Sequence, residues 1–319
     1  MPLTLEQYAT EHLPKLGLPW PVPPEPKPVK AKPHLPRLAV KLVYWNVYGT
    51  LLNVPGGELW FDDPRDGILN AMHPALGKTL QAFKMWQSMS RKPGDPAEQL
   101  KEMYLRTLTQ VKMAGSGGEK LPEISSERIW EEIINKLFKK DYQIDVATYG
   151  PQPEFVRKLA YFFHASLQGC GAYPGAVDGV KAVEASGLAQ GLLGDGQTFT
   201  PTQVAKAFKA DDPAFEVGRY FPASLVVLSA EKKARKPSDT LFKAAMDAAA
   251  ARGVRPADIL HVGSSVARDL LPAKKHGMKT ALFAGDKHSL AATADQMKDA
   301  ATKPDALLTD LSQIADVVG

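Results

Sequence analysis

Cysteine is almost missing. Cys170 stands alone in 319 residues, which excludes an intrachain disulfide and any Cys-rich metal site. No apolar run approaches the roughly 20 residues that a membrane-spanning helix needs, and the N-terminal stretch is proline-rich rather than leader-like. An excess of one charge is also lacking. The net charge is only +4, with an isoelectric point near 8.9, and no dense Lys/Arg block is interleaved with aromatics, which argues against nucleic acid or membrane as partners. What is present is ordinary globular material: 44% hydrophobic and 23% charged residues, in a chain long enough for two domains or one elaborated one. The expectation is a soluble, cytoplasmic protein.

Residues 1–38 are expected to form an arm. Thr4 to Leu16 suits a short helix, and the run from Pro19 to Pro28 disfavours both helix and sheet and should be extended. Trp20 and Leu35 are its candidate anchors, over the protein's own surface or on a partner. Residues 56–170 read as a helical insert. Leu69 to Ser90 and Ala97 to Lys112 carry apolar residues at helical spacing, among them Leu76, Leu80, Phe83 and Met85. Gly115-Ser116-Gly117-Gly118 is a break. Ser125 is an N-cap candidate for a helix that turns Ile129, Ile133, Ile134 and Leu137 inward, and Pro153 to Leu167 is a further helix. Trp86, Tyr104, Trp130, Phe162 and Phe163 read as bundle core. His73, His164 and Arg65 are candidates to face a crevice.

Residues 39–55 and 171–319 read as an α/β domain. Strands are expected in Lys41–Trp45, Gly187–Leu193, Tyr220–Leu228, Asp258–Val262 and Lys279–Phe283, with helices over Ala176–Ser186 and Ser238–Arg252, the latter closed by Gly253. A last short strand and helix fall between Asp305 and Val318. This alternation implies βαβ units and a parallel sheet. In such sheets ligands sit beyond the carboxyl ends of the strands. The apolar run Lys41–Trp45 delivers Asn46 to that position, and Gly49 and Thr50 shape the loop after it.

Three segments, Asn46-Val-Tyr48-Gly49-Thr50-Leu-Leu52, Arg235-Lys236-Pro237 and Val262-Gly-Ser264-Ser265-x-x-x-Asp269, resemble in order and kind the motifs of the haloacid dehalogenase (HAD) superfamily. Tyr48 points to its dehalogenase-like branch, and the insert resembles that family's helical C1 cap. The resemblance implies a Rossmann-like, doubly wound parallel sheet with an inserted cap. It also implies a covalent mechanism in which an aspartate attacks phosphorus or a halogen-bearing carbon. That aspartate is here Asn46, whose neutral amide is a poor nucleophile and a poor Mg²⁺ ligand. The second motif, usually Ser or Thr, has Gly194 followed by Asp195. The first aspartate of the fourth motif is Ser264, while the second, Asp269, remains. Ser264-Ser265 also matches metal-independent 2-haloacid dehalogenases, which in addition need a Ser-Asn pair in the second motif and an asparagine where Val266 stands.

No cofactor is therefore expected, and Mg²⁺ only poorly. Lys236 should pair with Asp269. The expected function is binding, of a small anion held by Lys236, Thr50 and loop N–H groups or of a protein partner, on a degenerate hydrolase site. The alternative is a 2-haloacid dehalogenase-like hydrolase, or a phosphatase, carrying a substituted nucleophile.

Overall fold

The computed structural model describes residues 1–89, 94–114 and 118–318. Its contacts divide the chain into two compact units. One comprises Met1–Val22, Leu59–Gly118 and Ile124–Gly169, and the other Pro23–Glu58, Glu119–Glu123 and Cys170–Gly319. The arm, read as one piece over 1–38, is thus divided between them.

Among the described residues, the α/β unit is built on eight strands: β1 (Leu42–Trp45), β2 (Leu52–Asn53), β3 (Gly171–Ala172), β4 (Ala189–Gly194), β5 (Val226–Leu228), β6 (Ile259–Gly263), β7 (Lys279–Phe283) and β8 (Ala306–Leu308). Six of them make one sheet in the order β5-β4-β1-β6-β7-β8, and β2 pairs with β3 separately. Every pairing in the large sheet is parallel. The first strand lies in the middle because Leu42, Val43, Tyr44 and Trp45 are wholly buried, as a parallel strand covered on both faces requires. The two polar tips on it are satisfied: Tyr44 OH donates to Ala245 O at 3.0 Å and Trp45 Nε1 to Gln190 Oε1 at 3.0 Å. From β1 the chain builds outward to β4 and β5, then resumes on the opposite side with β6, β7 and β8. The strand order therefore reverses beside β1, which is where a doubly wound sheet opens its crevice.

Helices Ala176–Ala185, Thr200–Asp211 and Asp239–Ala250 flank the sheet. The second of these was not anticipated. The strand expected over Tyr220–Leu228 is real only from Val226. Residues Val217–Tyr220 form a helical turn and Pro222 precedes a 3-10 turn, because proline has no N–H to give a ladder. The proline-rich residues 23–38 lie along this unit. Lys27 N donates to the buried Asp286 at 3.0 Å, which also receives Tyr173 OH at 2.7 Å. His34 pairs antiparallel with Leu307 of β8.

The helical unit packs Asp66–Ala82, Pro96–Met113, Ser126–Phe138 and Gln152–Leu167. Ser125 caps the third of these, its hydroxyl accepting from Arg128 N. Ile129, Ile133, Ile134 and Leu137 below it are fully buried. Tyr104, Trp130 and Phe163 form an aromatic centre with ring centroids 5.0–5.4 Å apart. One reading needs correction. Trp86 is not core but 51% exposed, since the first helix ends at Ala82 and Trp86 falls in a short 3-10 turn. The N-terminal segment is helical over residues 5–15, with Tyr8, Ala9 and Leu13 buried. The break expected at Gly115-Ser116-Gly117, and the helix end at Ser90, lie outside the described residues. No helix among those residues is long and apolar enough to cross a membrane.

Candidate functional site

The loop after β1 turns back at once. Gly49 adopts φ +78°, and a Cβ there would stand 3.0 Å from Ser264 Oγ, so both the backbone and the neighbour call for glycine. The turn buries Asn46, Tyr48 and Thr50 together. Asn46 is hydrogen-bonded through both ends of its amide. Its Nδ2 donates to Tyr48 O at 2.9 Å and to Thr50 Oγ1 at 3.1 Å, while its Oδ1 accepts from Lys236 Nζ at 2.8 Å. The phenol of Tyr48 turns to the helix behind β4 and meets Thr200 Oγ1 at 2.8 Å, as well as Gln203.

Lys236 is brought in by the segment before helix Asp239–Ala250, and its side chain is 6% exposed. Its second partner is Asp269, 1% exposed, in the turn that follows β6. Asp269 gives one oxygen to this ammonium and the other to the backbone N–H groups of Ser264, at 3.0 Å, and Ser265, at 2.9 Å. Burial alone would raise the Asp269 carboxyl. Lys236, His261 and these donors outweigh it and hold the group below the usual carboxylate range. Gly263 makes this possible, because a Cβ there would lie 2.5 Å from the Asp269 side chain.

Gly194 ends β4 beside Asn46. Asp195, the next residue, accepts from Lys236 N at 2.8 Å through Oδ1 and from Arg268 at 2.5 Å through Oδ2. Burial raises its carboxyl, against the pull of Lys236 and Arg235. Arg268 also reaches Glu58. Asn46, Tyr48, Thr50, Gly194, Asp195, Lys236, Ser264, Ser265 and Asp269 therefore lie at the strand ends around β1. His73, His164 and Arg65 find partners inside the helical unit instead. His73 lies 3.2 Å from Asp95 and 3.1 Å from Glu98, Arg65 pairs with Asp63, and His164 bonds Ser126 Oγ at 3.0 Å.

The donor set does not fit Mg²⁺. Asn46 offers an amide whose oxygen faces an ammonium and whose nitrogen faces the Tyr48 carbonyl. Of the two carboxylates, Asp269 is bound to Lys236 and two N–H groups, and Asp195 to Lys236 N and Arg268. A hard dication asks for several oxygens free of cationic and N–H neighbours. Among the described residues, no group of three or more His, Cys, Asp or Glu is placed to hold a metal ion.

Sequence reasoning missed Arg268, Glu58, Thr200 and Gln203. Arg268 was readable, since it directly precedes Asp269. The other three come from segments with no motif of their own.

The C-terminal part of the chain, residues 233–314, matches the HAD-hydrolase-like family model. No curated protein matches the sequence. Among solved structures, the chain is similar to a 2-haloacid dehalogenase from Pseudomonas syringae pv. Tomato DC3000, at 18% identity and TM-score 0.49, with 86% of this chain and 96% of that one covered. It is also similar to a HAD phosphatase from Thermococcus onnurineus, at 17% identity and TM-score 0.45, with 86% and 95% covered. Residues 233–314, which supply Lys236, Ser264, Ser265 and Asp269 to a parallel α/β sheet, are HAD-like.

Proposed function

We propose that this chain is a HAD-fold protein that acts by binding, without the family's covalent hydrolysis, and that its inserted helices, residues 56–170, are the counterpart of the family's cap. The carrying observation is the amide of Asn46, held on one side by Lys236 and on the other by Tyr48 O and Thr50. In that position it serves as a neutral link between loops. An amide oxygen supplies neither the charge nor the basicity that attack on phosphorus or carbon demands.

Of the two ligand classes this reading allows, a protein partner is favoured over a small anion. Lys236 and the N–H groups of Ser264 and Ser265 already hold an anion, the chain's own Asp269. A phosphate or carboxylate would have to displace it. The near absence of cysteine suits a cytoplasmic setting. The test is turnover of phosphate esters and 2-haloacids by the pure protein, with and without Mg²⁺, alongside calorimetry with phosphate and 2-chloropropionate. Neither release nor submillimolar binding is expected. Steady phosphate or halide release that disappears in Asn46→Ala would overturn the reading.

A second reading, a dehalogenase-like hydrolase or phosphatase with a substituted nucleophile, draws on one distance. Lys236 Nζ lies 2.8 Å from Asn46 Oδ1, where it would neutralise an aspartate at position 46.

A further inference from the structure

Residues Glu119–Glu123 group by contact with the α/β unit, although the chain on either side of them groups with the helices. They run antiparallel to the segment that leads into Lys236. Pro122 bridges Ala234, Arg235 N donates to Leu121 O at 2.7 Å, and Glu123 N donates to Lys233 O at 3.3 Å. Both of the stretch's carboxylates are engaged. Glu123 receives Arg235 Nε at 2.8 Å and the Ser229 hydroxyl. Glu119 receives Ser238 Oγ at 3.1 Å and Thr240 Oγ1 at 2.7 Å. Ser229 Oγ in turn accepts from Gly196 N at 2.9 Å, in the loop after β4. A short extended stretch thus grips the chain on both sides of Lys236 and is tied to the loop that carries Asp195.

We propose that residues 119–123 are a releasable strap, which clamps the Lys236 segment onto Asn46 and Asp269 and whose opening frees that segment to leave the site. Nothing in this depends on whether the site turns over a substrate.

Glu123 supplies the trigger. Its side chain is 2% exposed. Burial pushes its carboxyl up to about 7, against the opposing pull of Arg235 and Ser229, and Asp195 adds to the rise. The charged groups facing it are therefore Arg235 from the strapped segment and Asp195 from the loop after β4. Asp195 is itself bound to Lys236 N and Arg268. Glu119, at the exposed end, is held below its ordinary range by N–H and hydroxyl donors and stays ionised. A carboxyl that ionises near 4.5 when released and near 7 when strapped takes up a proton on closing between those values. Closure is firmest toward pH 4.5 and loosens as pH rises to 7.

The test follows the amide hydrogen of Arg235, which exists as a bond to Leu121 only while the strap is closed. Hydrogen exchange is measured on the full chain at pH 5.5 and pH 8 and corrected for intrinsic rates. In the wild type its opening equilibrium should rise at least about tenfold at the higher pH. Glu123→Gln should abolish that rise. Glu123→Ala should expose the amide at both pH values while amides of β1 and β6 stay protected. If Glu123→Ala does not fold, Glu119→Ala serves, with exchange at Arg235 raised at least about threefold by loss of the outer hold. Exchange at Arg235 that is unchanged in these variants, or that occurs only together with β1, would overturn the proposal.

Discussion

A Cβ on Gly194 would stand 2.5 Å from Oδ1 of Asn46. The two residues are coupled: the carboxamide lies across the end of β4 because nothing projects from it there. Asn46 in turn uses that space to reach Lys236. Absence of a hydroxyl at position 194 and presence of an amide at 46 are thus one arrangement of the site.

Gly194→Ser should consequently destabilise the protein by about 1–3 kcal/mol, the usual range for overpacking. Asn46→Ala should relieve much of that loss. Urea unfolding of the two single variants and the double variant measures the coupling. Additive effects would show that the side chains do not compete.

Lys236→Met should cost about 3–5 kcal/mol, because it leaves Asp269 charged and buried with only N–H partners. The pH dependence has a definite sign. Asp269 is held below the carboxylate range, so its contribution is present above the unfolded value of 3.8 and is lost as pH falls through the lower folded value. Chemical denaturation between pH 2.5 and 6 should show the acid-side loss in the wild type and a weaker one in Lys236→Met.

Asn46→Asp tests the two functional readings directly. The carboxylate would face Lys236, but it cannot donate to Tyr48 O or Thr50 as the amide does. The binding reading expects no release of halide or phosphate across a substrate panel. Robust turnover by this single variant would favour the hydrolase reading.

His261 is wholly buried on β6, with Nδ1 3.2 Å from Tyr44 O and Nε2 without a partner. Burial lowers it to about 4. The unfolded chain therefore takes up a proton there that the folded protein refuses, and stability contributed at high pH drains away between about 6.5 and 4. His261→Leu removes this drain. Its stability relative to wild type should improve as pH is lowered through that window, by up to about 3 kcal/mol.

The buried strands were legible because their apolar runs are short and bounded: the Lys279–Phe283 strand has the ends expected of it, and β1 and β6 differ by a residue or so. The helices of the insert were legible from their spacing and, at Ser125, from a cap. The Tyr220–Leu228 strand failed because a run of suitable side chains says nothing about Pro222 breaking the ladder. Trp86 failed because its ring suits a core that its turn does not enter. The site divides the same way. Asn46, Lys236 and Asp269 stood in motifs, whereas Glu58, Glu123 and Gln203 come from distant stretches joined only by folding. No local pattern announces such partners.

The bond between His34 and β8 has a consequence for how molecules meet. β8 ends the sheet order, and the exposed rim of such a sheet is a template on which another chain can add a strand. Here the chain fills that place itself, with His34 N bound to Leu307 O at 3.0 Å and Leu307 N to His34 O at 2.8 Å. Pro33 and Pro36, on either side, have no N–H with which to pass the ladder on. At Leu307 that rim is therefore taken up by the proline-rich arm.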